Sequence, residues 1–285
     1  MATEPAVHMS DGASIWSTVD GSGPPVMLCH GGPGLWDYLG DPATLLRDEF
    51  TVHRWDQRGC GRSGPAPPYG LDIALRDVQE LKHAWSVEER WGVIGHSWGA
   101  YLALLTAVLH PETAGALVYI SGNGSPSWWR DVGSAKYRAE RAARLSPPAL
   151  QRLENLDDRG RNEAEEIEFR RLAWSTDFAD IDPSPPALEA MATTPLAISW
   201  EINRALSRAD LLNEEQLLRG CERCTVPSLF LHGSADPRSD EGARILVDRM
   251  PNARFIEIDG AGHLPWVERP HEFAAVVRGF LRGAL

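Results

Sequence analysis

The sequence predicts an α/β fold in which helices cover both faces of a mostly parallel sheet. Apolar runs typical of strands lie near residues 25–29, 50–55, 91–95, 115–121, 226–232 and 254–258. Helical spacing of apolar residues is clearest from Ile73 to Trp85, and a last helix is expected at about 272–281. Strands that alternate with helices are typical of parallel sheets. Residues 6–9 and 13–19 are predicted to form short antiparallel strands before them.

The strand pattern stops between the sixth and seventh strands, and charged helical stretches at 135–145 and 161–174 replace it. We therefore predict a core formed by residues 1–122 and 225–285, with a helical cap at residues 123–224 inserted after the sixth strand. Insertions near the carboxyl ends of strands often carry specificity, so the cap is expected to shape the binding site.

Composition narrows the classes of partner. The 285 residues are 43% hydrophobic, enough for a sizeable core, and the net charge is −12. An acidic chain is a poor partner for nucleic acid or anionic membranes, and no run of apolar residues is long enough to span a membrane. The N-terminal residues lack the basic and apolar regions of a secretory signal, so we expect a cytoplasmic location. The oligomeric state stays open.

The cysteines predict neither a disulfide framework nor a metal site. Cys29 ends a predicted core strand, and Cys60 lies in a glycine-rich loop. Cys221 and Cys224 form a single C-x-x-C pair at the end of a predicted helix. Zinc needs about four ligands, and no second pair is present. We expect no metal and no cofactor.

The strongest local pattern is G-x-S-x-G at residues 95–99, between a strand and a helix. This arrangement is typical of a nucleophile elbow, where a strained turn presents the serine hydroxyl above the sheet. The glycines let strand and helix approach closely. We therefore predict that Ser97 is a nucleophile, and that the neighbouring His96 points away and packs.

A serine nucleophile needs a base and an acid that orients the base. Asp236 follows the strand at 226–232, and His263 follows the next strand in a glycine-rich loop. Loops at the carboxyl ends of parallel strands meet at one edge of the sheet. Asp236 and His263 are therefore the predicted acid and base. The rivals for the acid are Asp259, Asp240 and Glu241.

The loop after the third strand predicts an oxyanion hole. Residues 30–34 read HGGPG and follow the strand at 25–29. On a fold with this elbow, one backbone N–H comes from this loop and the other from the residue after the nucleophile. The predicted donors are Gly32 and Trp98, and glycine allows the backbone to approach the oxyanion.

Together, HGGPG at 30–34, DQRGCGRS at 56–63 and GHSWG at 95–99 resemble the proline iminopeptidase group of α/β-hydrolases. The similarity covers roughly residues 12–122 and 225–285. It implies an α/β-hydrolase fold with an inserted helical cap. It also implies a serine aminopeptidase that removes N-terminal proline, or a close relative acting on other amides and esters. The substrate would be a small molecule or short peptide.

The resemblance also suggests roles outside the triad. By matching, His30, Asp56 and Arg58 fall on structural loops, and Asp56 and Arg58 are expected to brace the oxyanion loop by an ion pair. Glu201 falls on a cap glutamate that recognises the substrate's amino group. The second usual glutamate has no clean match near residues 174–177.

Tryptophans are numerous, with 11 in the chain. Trp36, Trp174 and Trp200 are predicted to contact substrate, because aromatic side chains suit an apolar pocket. His96 stands where proline iminopeptidases usually have glycine, and esterases and lactonases commonly have histidine there.

Three functional classes therefore stay open. One is a peptidase acting on N-terminal proline or another small residue. The second is an esterase, lactonase or amidase acting on a small natural product. The third is a non-hydrolytic binding or acyl-transfer protein, against which an intact triad argues.

Overall fold

The computed structural model describes residues 6–180 and 185–285. Eight strands form one sheet. In chain order they are β1 (Ala6–His8), β2 (Ser14–Gly21), β3 (Pro25–Cys29), β4 (Thr51–Trp55), β5 (Trp91–His96), β6 (Ala114–Ile120), β7 (Ser228–Gly233) and β8 (Ala253–Ile258). Their order across the sheet is β1-β2-β4-β3-β5-β6-β7-β8.

The sheet is antiparallel at one edge and parallel elsewhere. β2 pairs antiparallel with both β1 and β4, and the strands from β4 to β8 pair in parallel. This confirms the predicted fold class. The carboxyl ends of β3, β5, β7 and β8 therefore lie at the same edge, where an open α/β sheet places its site.

Helices occupy the connections between the strands. They are α1 (Gly40–Leu46), α2 (Leu71–Ala84), α3 (Trp98–Leu109), α4 (Pro126–Trp128), α5 (Ser134–Arg144), α6 (Pro147–Asp157), α7 (Glu163–Ser175), α8 (Pro186–Ala192), α9 (Trp200–Ser207), α10 (Glu214–Arg223), α11 (Glu241–Val247), α12 (Pro265–Glu268) and α13 (Pro270–Ala284). A π-helical turn, Trp129–Gly133, joins α4 to α5. Among the helices of residues 6–180 and 185–285, none has both the length and the hydropathy of a membrane span.

The sheet separates two apolar layers. Side chains alternate across a strand, so Val93 faces the layer that contains α2 and α3 while Ile94 faces the layer that contains α1 and α13. The residues of α3 from Trp98 to Ala107 are all buried. Burial on every side fixes α3 firmly behind β5, so the turn between them has little freedom to move.

The segment between β6 and β7 contains α4 to α10. A small apolar cluster, Leu153, Leu156, Phe169 and Ala173, joins α6 to α7. Arg144 at the end of α5 donates hydrogen bonds to three main-chain carbonyls, including that of Ala235 after β7. These bonds hold the helical segment over the carboxyl edge of the sheet. Its division from the core at residues 123 and 224 stays a prediction.

All four cysteines are buried and free. Cys221 lies in the last turn of α10 and Cys224 follows that helix directly. Burial raises the pKa of the Cys29 thiol to about 12 and that of the Cys221 thiol to about 12. These thiols are therefore uncharged packing groups at neutral pH.

Candidate active site

Ser97 occupies the tight turn between β5 and α3. Its φ of 56° and ψ of −122° are unusual for a residue with a side chain. A Cβ at Gly95 would meet the carbonyl of Gly99, and one at Gly99 would meet the carbonyls of Cys29 and His30. Both glycines are therefore needed for the turn to form.

Asp236 and His263 are brought together as predicted. Asp236 follows β7, His263 follows β8, and His263 Nδ1 lies 2.7 Å from Asp236 Oδ2. The amide of Arg238 donates to Asp236 Oδ1 at 2.9 Å. Burial raises the pKa of Asp236, but the charges of His263 and His232 outweigh it, and the pKa falls below its usual range. The carboxylate therefore stays ionised beside the imidazole.

Ser97 and His263 line the same cavity. Within the described residues, no hydrogen bond of 3.5 Å or less joins Ser97 Oγ to His263. Catalytic hydrogen bonds are often long before substrate binds, so this spacing is compatible with a triad.

The rival carboxylates do not contact His263. They have other partners: Asp240 pairs with Arg244 at 2.6 Å, Glu241 with Lys136 at 2.5 Å, and Asp259 accepts from Ser234 at 3.2 Å. Asp236 is therefore the acid that this structure places on the histidine.

Gly32 and Trp98, the two predicted backbone donors, line the cavity together with Ser97. Gly32 has a φ of +130°, a conformation that favours glycine. Trp98 is the first residue of α3, and the first amides of a helix have no intrahelical acceptor. Their role as oxyanion donors stays a prediction.

The loop between β3 and α1 (residues 30–39, the β3–α1 loop) is held by the segment after β4. His30 Nε2 accepts from the amide of Gln57 at 3.0 Å. Asp56 accepts from the amide of Asp37 at 2.6 Å and pairs with Arg62 at 2.7 Å. Asp56 therefore braces this loop, in agreement with the expected structural role.

Arg58 behaves differently from the expectation. Its guanidinium pairs with Asp77 of α2 at 2.6 Å and with Asp11 at 2.9 Å, not with Asp56. Both carboxylate oxygens of Asp56 accept from Arg62 instead, so Arg62 takes the place expected for Arg58. Arg58 ties α2 to the β1–β2 turn and does not brace the β3–α1 loop.

Tyr38 and His96 connect the three loops of the site. The amide of Gly31 donates to the Tyr38 hydroxyl at 3.0 Å, and that hydroxyl lies 2.6 Å from His96 Nδ1. His96 Nε2 lies 2.8 Å from the carbonyl of His263. A carbonyl only accepts, so Nε2 carries the proton and Nδ1 accepts from Tyr38. His96 thus links these loops. It is buried as predicted, but it does not point away from the site, because it lines the same cavity as Ser97 and its ring lies 4.5 Å from that of His263.

The cavity above Ser97 has two lobes. We call the one lined by His263 the His263 lobe, of about 190 Å³, and the one lined by Trp98 the Trp98 lobe, of about 240 Å³. The residues that line both are Gly32, Pro33, Ser97, Tyr137 and Arg238. A substrate bound at Ser97 can therefore extend in two directions.

Tryptophans line both lobes, though not all those predicted. Trp174 and Trp200 line the His263 lobe, and Trp98 and Trp129 line the Trp98 lobe. Trp36 lines neither lobe. It is buried edge-on against Trp174, with ring centroids 6.2 Å apart. The predicted substrate contact of Trp36 is therefore corrected to a packing role behind Trp174.

Glu201 is not brought into the cavity either. Its side chain is exposed and lines neither lobe. On α9, Ile202 and Leu206 are buried, while Asn203 donates to the carbonyl of Pro33 at 2.9 Å. These residues define the inward face of α9, and Glu201 lies off it. The predicted amine contact by Glu201 has no support in the geometry.

Charged groups missed by the sequence analysis line the His263 lobe. Arg238 pairs with Asp177 at 2.7 Å, and both are largely buried. Burial lowers the pKa of Arg238, but the charge of Asp177 outweighs it and raises the pKa above its usual value. Arg141 of α5 also lines this lobe. The local signal for Arg238 was its position two residues after Asp236; nothing local marked Arg141.

A mostly parallel sheet with a serine turn after β5 and an Asp–His pair after β7 and β8 defines the α/β-hydrolase class. Residues 26–276 match the Alpha/beta hydrolase family, and the chain belongs to that family. It is therefore a hydrolase of the α/β fold.

Relatives agree with the group predicted from the motifs. A proline iminopeptidase of Heyndrickxia coagulans is 24% identical over 293 residues, covering 99% of this chain and 99% of that protein. The crystal structure of proline iminopeptidase from Mycobacterium smegmatis has a TM-score of 0.72 and 23% identity, covering 99% and 98% of the two chains. The enol-lactonase from Burkholderia xenovorans LB400 has a TM-score of 0.73 and 20% identity, covering 98% and 100%. The resemblance to the proline iminopeptidase group is confirmed.

Proposed function

We propose that this protein is a serine hydrolase that cleaves an amide or ester through an acyl-enzyme on Ser97. The observation that carries the proposal is the 2.7 Å contact between Asp236 Oδ2 and His263 Nδ1, beside a cavity that Ser97 also lines. Asp236 holds Nδ1 protonated, which leaves Nε2 as the basic nitrogen. A neutral imidazole oriented in this way is suited to activate Ser97.

The reaction follows from these positions. His263 takes the proton of Ser97 as its oxygen attacks the carbonyl carbon, and the amides of Gly32 and Trp98 stabilise the oxyanion. His263 then gives the proton to the leaving atom, and the bond to that atom breaks. Water, deprotonated by His263, attacks the carbonyl carbon of the acyl-enzyme. The bond between that carbon and Ser97 Oγ then breaks, His263 returns the proton to Ser97 Oγ, and the acid is released.

The proposed substrate is a short peptide with proline or another small residue at its N-terminus. The observation behind this choice is similarity to a proline iminopeptidase along the whole chain, 99% of each protein. The aromatic lining of the Trp98 lobe, formed by Trp98 and Trp129, suits a compact apolar acyl group.

One observation favours a second candidate, an esterase, lactonase or amidase for a small natural product. The described residues that line the two lobes include one carboxylate, that of Asp177. This carboxylate already forms an ion pair with Arg238. Glu201 is exposed. A substrate ammonium therefore finds no free carboxylate in the described part of the cavity, and a substrate without an amine does not need one.

The test compares turnover of proline β-naphthylamide with that of p-nitrophenyl acetate and a panel of lactones, using Ser97→Ala as the inactive control. A preference for proline β-naphthylamide supports the peptidase. A preference for esters or lactones, with no release of naphthylamine, supports the second candidate. Hydrolysis of none of these compounds would count against both.

A further inference from the structure

Arg141 differs from the other arginine in the His263 lobe. Arg238 is paired with Asp177 at 2.7 Å. Among the residues that the structure describes, no carboxylate lies within 4.0 Å of the Arg141 guanidinium. Its group lies 5.4 Å from the ring centroid of Tyr137, another residue of this lobe. Within the described part of the chain, Arg141 therefore brings a positive charge without a carboxylate partner to the wall of the cavity.

The other arginines of α5 show that this placement is particular to Arg141. Arg144, one turn later, uses its guanidinium on the carbonyls of Thr176, Phe178 and Ala235. Arg138, one turn earlier, is exposed and lines neither lobe. Arg141 is half-buried between them and faces the cavity.

The lobe that contains Arg141 is the one that receives the leaving group. His263 gives its proton to the leaving atom, so that half of the substrate lies on the side of the imidazole. His263 and Arg141 both line the His263 lobe, whereas neither lines the Trp98 lobe. The acyl half of the substrate would then lie in the Trp98 lobe.

We infer that Arg141 binds a carboxylate carried by the leaving half of the substrate. This inference rests on the proposed hydrolysis at Ser97. A guanidinium pairs with a carboxylate through two parallel hydrogen bonds, and partial burial strengthens that contact. The substrate class is therefore an amide or ester whose leaving group is an acid, with a dipeptide bearing a free C-terminal carboxylate as its simplest peptide member.

The size and lining of the lobe agree with a small leaving acid. Its volume of about 190 Å³ is below the roughly 300–1,000 Å³ that is typical of pockets for drug-sized ligands. Phe169, Trp174 and Ile198 line it, so an apolar side chain on the leaving residue would be in contact with apolar surface.

The experiment uses two matched substrate pairs, Pro-Phe with Pro-Phe amide, and 4-acetoxybenzoate with phenyl acetate. They are given to the full-length protein and to Arg141→Gln, with Arg138→Gln as the control from the same helix. The unmodified protein is expected to prefer the acid in at least one pair. Arg141→Gln should lower kcat/KM for that acid by about 10- to 100-fold, mainly through KM, and change the neutral partner less than about two-fold. Arg141→Lys should recover part of the loss, and Arg138→Gln should change neither.

Equal losses for acid and neutral substrates in Arg141→Gln, or equal effects of Arg141→Gln and Arg138→Gln, would overturn the inference. If the protein hydrolyses neither these four compounds nor proline β-naphthylamide, p-nitrophenyl acetate and the lactones, the proposed function fails. Calorimetry then tests the inference separately, with Ser97→Ala and the double variant Ser97→Ala/Arg141→Gln. The inference is supported if the acids bind Ser97→Ala with higher affinity than their neutral partners do, and if this difference in affinity disappears in the double variant. Absence of binding by both acids would overturn it.

Discussion

The hydroxyl of Tyr38 lies 2.6 Å from Nδ1 of His96, and this contact joins the β3–α1 loop to the nucleophile turn. Gly31 donates to the same hydroxyl, and His96 continues to the carbonyl of His263. Burial lowers the pKa of His96 well below its usual value, so the imidazole stays neutral and can accept from Tyr38. The three loops of the site are thereby held in one arrangement.

Replacing Tyr38 with phenylalanine should weaken this connection. The Gly31 amide and His96 Nδ1 would each lose a partner, and a buried polar group without a partner costs about 1–3 kcal/mol. We expect a lower free energy of unfolding and a fall in kcat that exceeds the change in KM. Denaturant unfolding and steady-state kinetics measure both. A fully active variant of unchanged stability would show that the hydroxyl does not support the site.

Glu201→Gln should change kcat/KM by less than about two-fold for amine and ester substrates alike, because Glu201 is exposed and outside the cavity. Steady-state kinetics with both kinds of substrate measure this change. A loss confined to amine substrates would instead restore the predicted role of Glu201.

Asp177→Asn is the informative comparison. It removes the charge that holds Arg238, which also lies 3.7 Å from Asp236. We expect kcat to fall at least about 10-fold, since the partner of His263 is disturbed.

The positions of the triad residues were predictable because they depend on chain order and strand ends alone. Parallel strands bring their carboxyl ends to one edge, so Asp236 and His263 meet whatever the details of packing. The glycines around Ser97 identify the turn through a backbone requirement that no other residue meets. These signals are local in the sequence and do not need the helical segment to be placed.

The side chains of the helical segment were harder to predict because their direction depends on tertiary contacts. α9 has eight residues, too few for a clear period, and its inward face is set by Asn203 on the carbonyl of Pro33. The i, i+4 spacing of Ile202 and Leu206 was the available signal that Glu201 lies elsewhere. The pairing of Arg238 with Asp177 joins residues far apart in the chain, so no local pattern contains it.

Protonation of His53 should make stability depend on pH. Its ring packs 4.6 Å from that of Trp85, and within the described residues its nitrogens have no hydrogen-bond partner. Burial lowers its pKa to about 4. The unfolded chain, with an imidazole pKa of about 6.5, then binds a proton that the folded protein does not. The free energy of unfolding should therefore fall as the pH drops from about 6.5 to about 4, by up to about 3 kcal/mol from this residue.

His53→Phe keeps an aromatic ring beside Trp85 and removes the titrating group. Urea unfolding at several pH values gives the free energy of unfolding as a function of pH. Between about pH 6.5 and 4, this free energy should change less steeply with pH for His53→Phe than for the unmodified protein. Some slope remains, because burial also lowers the pKa of His30 and His96. The exposed His271, replaced by glutamine, is the control and should leave the slope unchanged. Identical slopes for His53→Phe and the unmodified protein would contradict the explanation.

Gly99→Ala should destabilise the protein by about 1–3 kcal/mol, because the new methyl group meets the backbone carbonyls of Cys29 and His30. Gly279 in α13 is the matched control, since a Cβ there has no neighbour within 4 Å. Alanine at that exposed helical position should stabilise by about 0.5–1 kcal/mol. Thermal unfolding compares the two variants. Similar changes in Tm for both variants would mean that the fold does not need the close approach of Gly99 to the carbonyls of Cys29 and His30.

Mass spectrometry of the enzyme during turnover can show whether Ser97 carries the acyl group. The protein is mixed with p-nitrophenyl acetate, quenched in acid and digested, and the peptide that carries the added acetyl group is identified. We expect acetylation of Ser97 in the unmodified protein and none in Ser97→Ala. In His263→Ala, an acetyl group on Ser97 should be retained longer, because deacylation has lost its base. Turnover that continues in Ser97→Ala, or an adduct on another residue that forms and decays at the rate of turnover, would contradict an acyl-enzyme on Ser97.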